Sequence, residues 1–110
     1  MGTFVKGDVV VVPFPFSDLS SSKRRPAFVV TQLSGDDVIL CQITTPHRRD
    51  GYSIPLSGSD FASGSLKYDS TICPNRLFTA DSNIFAYRAG TLSQKKTKEV
   101  IDKVVQIIRS

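Results

Sequence analysis

Four consecutive valines, Val9 to Val12, lie in the stretch GDVVVVPFPF at residues 7–16. β-Branched side chains lose rotamer freedom in a helix and pack well on a pleated surface, so the run reads as a strand. It lacks the apolar–polar alternation of a half-buried strand, and both of its faces therefore need cover. Pro13 and Pro15 remove amide donors and are expected to end its ladder pairing. A chain that opens on a doubly buried strand has to build a sheet around it. Its 110 residues leave room for one core, hence one domain over residues 1–110.

The rest of the chain supplies that sheet. After a polar loop, SDLSSSK at residues 17–23, a second strand is expected over 27–32, AFVVTQ. Ser34, Gly35 and Asp36 make a turn, and a third strand over 37–45 completes a hairpin. Val38, Leu40 and Gln42 share one of its faces, Ile39, Cys41 and Ile43 the other, which predicts a central position. Residues 46–51 form a basic, turn-rich loop with His47, Arg48 and Arg49. A short strand is expected over 52–56, then an irregular Ser/Gly-rich stretch with one helical turn around Phe61. Further strands are expected over 70–78, interrupted by Pro74, and over 84–87. From Ser93 a helix is indicated by Val100, Ile101, Val104, Val105 and Ile108 at helical spacing. Ser93 suits its N-cap, although Lys96 stands where a capping box has Glu or Gln. The expected fold is mainly β with a C-terminal helix: a small, mostly antiparallel sheet or open barrel, without repeats or a linker.

Composition narrows the function classes. An apolar content of 40% and a charged content of 22% are globular values. No apolar run approaches the roughly 20 residues that span a bilayer, and the N-terminus lacks a signal-peptide or myristoylation pattern, so no membrane contact and a cytoplasmic location are expected. Cys41 and Cys73 have no metal or redox spacing and are expected as buried free thiols; nothing local supports a catalytic pairing of either with His47. The net charge of +4 favours an anionic partner.

At residues 7–30 the string GDVVVVPFPFSDLSSSKRRPAFVV resembles the N-terminal signature of the MazF/PemK/Kid toxins: Gly-Asp entering the first strand, a polar loop, then Arg-Pro leading into the second. Ile43-Thr44 is similar to that family's second signature, a hydroxyl residue closing the third strand. Gly64-Ser65-Leu66, Leu77-Phe78-Thr79 and the helix beginning near Leu92-Ser93 keep the family order, so the resemblance covers nearly the whole chain, specifically in its first third and loosely over 57–83. It implies an SH3-like barrel of the type shared with CcdB and a homodimer. It further implies sequence-selective cleavage of single-stranded RNA, leaving 2′,3′-cyclic phosphate and 5′-hydroxyl ends without metal or cofactor. The implied partner is an acidic antitoxin segment that covers the RNA groove.

The family's catalytic arginine carries over to Arg25, whose guanidinium fork suits phosphate oxygens and whose backbone Pro26 restricts to extended geometry. Read without the resemblance, Arg24 and Arg25 are equally a solvated basic turn. The family's hydroxyl residue carries over to Thr44, otherwise a β-branched strand former; Thr45 next to it points to the opposite face. Arginine holds its proton up to about pH 12, so Arg25 fits electrostatic stabilisation, and His47 is the side chain suited to proton transfer, or else a plain surface loop residue. Lys23, Arg24, Thr45, Arg48, Arg49 and Arg76 are candidate RNA contacts, with solubility as the plain alternative for the cations. Tyr52 and Phe16 are candidates for base stacking or simply for the core. The chain departs from the family pattern at Phe78, where several relatives carry a basic residue. Two other readings share the architecture: a CcdB-like gyrase-binding toxin that cuts nothing, and an inactive RNA-binding module.

Overall fold

The valine run forms β1 (Asp8–Phe14), an interior strand of a seven-stranded antiparallel sheet. The computed structural model describes residues 4–14, 23–45 and 50–110, with Phe14 and Lys23 described by their backbone alone. The other strands are β2 (Lys23–Gln32), β3 (Asp37–Thr44), β4 (Ile54–Leu56), β5 (Phe61–Gly64), β6 (Ser70–Asp81) and β7 (Tyr87–Leu92). Their spatial order is β4-β6-β3-β2-β1-β7-β5. The sheet curls into a half-barrel, and one helix, α1 (Gln94–Arg109), follows it.

Both faces of the central strands are covered. Val9, Phe28, Cys41, Ile43 and Ile72 form a core on one face with Val100 of α1. Val10, Val12, Ala27, Val29, Val38 and Leu40 form a second on the other, where Phe4, Phe78 and Phe85 pack against them. That two-sided burial explains the unbroken valine run, each buried valine contributing about 1.5 kcal/mol or more relative to exposure. The face assignment expected for β3 matches: Val38 and Leu40 lie in the second core, Cys41 and Ile43 in the first.

Pro13 and Pro74 redirect pairing rather than ending strands, while Pro15 lies outside the described residues. On the β7 side β1 pairs only as far as Val11–Tyr87, whereas beside β2 it continues through Pro13–Arg24 to Phe14–Lys23. Pro74 likewise leaves β6 continuous, but the register with β3 jumps from Cys41–Leu77 to Gln42–Cys73, and Pro74, Asn75 and Arg76 bulge between them. The strand expected over 84–87 is instead a 3₁₀ turn, Ser82–Ile84, which Asp81 caps by accepting from the Asn83 amide at 2.8 Å. The strand proper is β7. The helical turn expected around Phe61 lies at Gly58–Asp60, and Phe61 opens β5.

In α1, Ser93 Oγ accepts from the Lys96 amide at 3.2 Å, as an N-cap should. Its apolar stripe is only half used: Val100 and Val104 are buried, while Val105 and Ile108 are exposed. Among the described residues no helix is long and apolar enough to cross a membrane.

Candidate functional site

The sheet forks at one end. The β2–β3 pairing begins at Ala27–Gln42, yet both strands run further. Beyond that rung Lys23 to Pro26 pair only with β1, and Ile43 and Thr44 pair only with β6. Proline offers no ladder donor, so Pro26 is tolerated where β2 has lost its β3 neighbour. The gap between the prongs is a cleft of about 300 Å³ lined by Arg24, Arg25, Pro26, Ile43, Thr44 and Thr45.

Arg25 and Thr44, which the sequence places at a strand start and a strand end, therefore line one cavity. Their backbones are held from behind, Arg25 against Val12 and Thr44 against Thr71. Arg25 is half-buried, Thr44 buried, and Arg24 and Thr45 exposed at the rim. Arg24 and Arg25 are both among the residues lining the cleft and none of its described lining residues is acidic, a combination that suits an anion with several oxygens. Thr71 was not singled out by the sequence. It stands opposite Thr44 with its hydroxyl oxygen buried and unpartnered among the described residues.

The other candidates are placed less tightly. Arg76 is exposed in the β6 bulge and lines neither this cleft nor the recess beside it. Tyr52 is exposed on the segment after residue 50. Phe78 stands opposite Leu40 and packs on the second core. Phe16, His47, Arg48 and Arg49 lie outside the described residues, as does the side chain of Lys23. Asp50, the first described residue after 46–49, accepts from the Tyr52 and Ser53 amides and the Ser53 hydroxyl at 2.9–3.0 Å. The Tyr52 amide foremost, then the Ser53 donors, hold its carboxyl down at about 2.

A second recess of about 280 Å³ shares Arg24, Pro26 and Thr45 with the cleft and continues over Val11, Leu66, Lys67, Tyr68, Ser70 and Tyr87. No motif pointed to Tyr68 or Tyr87; an aromatic beside a lysine in a polar loop was the only signal for Tyr68. A larger recess, about 400 Å³, lies instead against α1 and is lined by Lys6, Leu92, Thr97, Lys98, Ile101 and Asp102 among others. Its cations are already engaged, Lys6 with the Val30 carbonyl at 3.0 Å and Lys98 with Asp102 at 2.7 Å, so the smaller cleft is the better anion site.

Cys41 and Cys73 are buried and form no disulfide, as expected. Burial, with a smaller contribution from Cys73, pushes the Cys41 thiol far up, which keeps it protonated and unreactive. Among the described residues no group of three His, Cys, Asp or Glu side chains is arranged to hold a metal ion.

A family model described as "PemK-like, MazF-like toxin of type II toxin-antitoxin system" matches residues 5–108. Solved structures share the fold at low identity. A MazE–MazF complex from Deinococcus radiodurans superposes with a TM-score of 0.78 at 16% identity, over 99% of this chain and 98% of that one. An endoribonuclease in complex with its cognate antitoxin, from a mycobacterial species, gives 0.75 at 13%, over 97% and 96%. The Mycobacterium tuberculosis toxin MazF-mt6 gives 0.69 at 14%, over 91% and 93%. A comparison with curated proteins matches none of them.

Proposed function

The chain belongs to the PemK-like, MazF-like toxins of type II toxin–antitoxin systems, and on that footing we propose that it cuts single-stranded RNA at the forked end of its sheet. The observation that carries the proposal is the meeting of Arg25 and Thr44 in one cleft with no acidic lining residue among those described. The family relation and the likeness to an endoribonuclease held by its antitoxin support it.

In the proposed reaction the ribose 2′-oxygen bonds to phosphorus as the bond from phosphorus to the 5′-oxygen breaks. The products are a 2′,3′-cyclic phosphate and a 5′-hydroxyl. One proton leaves the 2′-hydroxyl and one reaches the departing 5′-oxygen. A guanidinium keeps its proton throughout the neutral range, so Arg25 acts as fixed positive charge against the five-coordinate phosphate. Thr44 donates its hydroxyl hydrogen to a phosphate oxygen. Both residues are positioned by neighbouring strands, so little reorganisation is needed when the charge develops. For proton transfer the candidate is His47, the chain's only histidine, with a reference pKa near neutrality. Nothing in this chemistry calls for a metal or cofactor. The cationic cleft would equally attract the carboxylates of an acidic antitoxin segment, and the protein is proposed to act as a homodimer in the cytoplasm.

Purified protein incubated with mixed RNA in EDTA is expected to release discrete fragments with 5′-hydroxyl ends. Arg25→Ala is expected to cut about 10²–10³-fold more slowly, the usual loss for one transition-state donor. RNA left intact by the unaltered protein overturns the proposal. His47→Ala cutting at the unaltered rate from pH 5 to 9 removes that residue from the mechanism without touching the rest.

A further inference from the structure

The recess beside the cleft has no part in the cleavage step, yet its construction is specific. Val11 of β1 stands between Tyr87 of β7 and Pro26 of β2, so these three form one rung across the sheet. That rung gives the recess an apolar floor with an aromatic end. The loop before β6 supplies another wall, where Ser70 Oγ donates to the Tyr68 carbonyl at 3.0 Å and fixes the chain at that point. Lys67 Nζ lies 5.4 Å from the centroid of the Tyr68 ring and occupies one of its faces.

Tyr68 and Tyr87 are 62% and 56% exposed, although each is large enough to gain from burial. Two half-bare aromatics, two cations and an apolar floor around 280 Å³ match a flat heteroaromatic ring with a polar edge. The space is just below the range typical of drug-sized ligands, which suits a single base. The recess and the cleft share Arg24, Pro26 and Thr45, so the two spaces adjoin and neighbouring parts of one ligand can fill both.

We propose that this recess takes the base of one of the two nucleotides joined by the cleaved phosphodiester. Tyr68 and Tyr87 stack on it, and they thereby help determine which RNA sequence is cut. The inference rests on the cleavage reading above. Arg24, at the shared rim, bridges the two sites by meeting the backbone between the bound base and the reacting phosphate.

Sequencing the 5′ ends of transcripts cut by the unaltered protein defines the motif. A short oligoribonucleotide carrying that motif is then compared with two versions that are abasic on either side of the cut. Tyr68→Ala and Tyr87→Ala are expected to raise KM on the complete oligonucleotide roughly 5- to 100-fold, the range that follows from losing one stacked base. Tyr→Phe at either position keeps the π-face and is expected to stay near the unaltered KM. On one abasic substrate the alanine variants and the unaltered protein are expected to become equal. Both side chains are largely exposed, and an unchanged melting temperature verifies that the variants fold. Cutting with unchanged KM in both alanine variants, or the same loss on abasic and complete substrates, overturns this inference alone. No cutting by the unaltered protein overturns the cleavage reading and this one with it.

Discussion

Asp8 is the point at which the start of the chain is fastened to its far end. One carboxylate oxygen accepts from the Val5 amide at 3.0 Å and from Arg88 Nε at 3.1 Å; the other accepts from the Thr91 hydroxyl at 2.9 Å. The guanidinium of Arg88 in turn lies 5.0 Å from the Phe4 ring centroid. Asp8→Ala removes three acceptor contacts at a buried site and is expected to cost about 2–4 kcal/mol. The lower half of that range applies, because Arg88 is 43% exposed and water can solvate its charge. A fall in the urea midpoint at unchanged slope is the readout, and a midpoint within error of the unaltered protein refutes it. Asp50 makes a pH prediction. Its folded pKa, about 2, lies below the ordinary carboxylate value, so its hydrogen bonds favour the folded form above about pH 4 and lose that effect as pH falls through about 2. The Tyr52 and Ser53 amide resonances should hold steady from pH 8 to 4 and then titrate with a midpoint about 2. A midpoint near 4 would show that those donors do not depress it.

Among the elements, those with strong local chemistry were legible and those made by distant pairing were not. The β-branched runs of β1, β2 and β3, and the capped amphipathic α1, are visible in sequence because propensity and periodicity agree there. Removing the cap by Ser93→Ala is expected to cost about 1 kcal/mol, seen as a lower thermal midpoint. Strands β5 and β7, FASG and YRAGTL, carry little strand propensity and exist because each other and β1 lie alongside. Gly90 marks that junction: a β-carbon there would sit 2.5 Å from the Ser63 carbonyl oxygen and 2.9 Å from the Phe61 ring. Gly90→Ala is expected to destabilise by about 1–3 kcal/mol through the forced separation of β5 from β7. Increased hydrogen exchange confined to those two strands would identify the cause, and parental exchange there would rule it out. The site divides in the same way. Arg25 and Thr44 became candidates through the family resemblance, and they line one cleft, whereas Tyr87 could not be singled out, since its place depends on the β1–β7 register, which no local pattern encodes. Pro13 and Pro74 misled for a related reason. A missing donor stops a ladder on one side only, and sequence does not say which side.

At the scale of the whole molecule, a net charge of +4 is modest, so the attraction for RNA proposed above would depend on where the cations stand more than on their number. If Arg24 meets the RNA backbone, Arg24→Gln lowers the slope of log affinity against log salt by about 0.7, the value for one phosphate contact on a single strand. The measurement belongs on the Arg25→Ala background, where cutting is slow enough for binding to equilibrate first; an unchanged slope would take Arg24 out of the interface. The two cores lie on either side of the β1–β3 sheet, while the fork lies past their last shared rung. Its prongs are anchored backwards, to β1 and to β6, and owe nothing to one another. Such an arrangement sets the rim apart from the core: the exposed Arg24 and Thr45 can be exchanged, and the RNA preference proposed above traded for another, while Ile43, buried on the same fork, stays in the first core and leaves the barrel behind it unaltered.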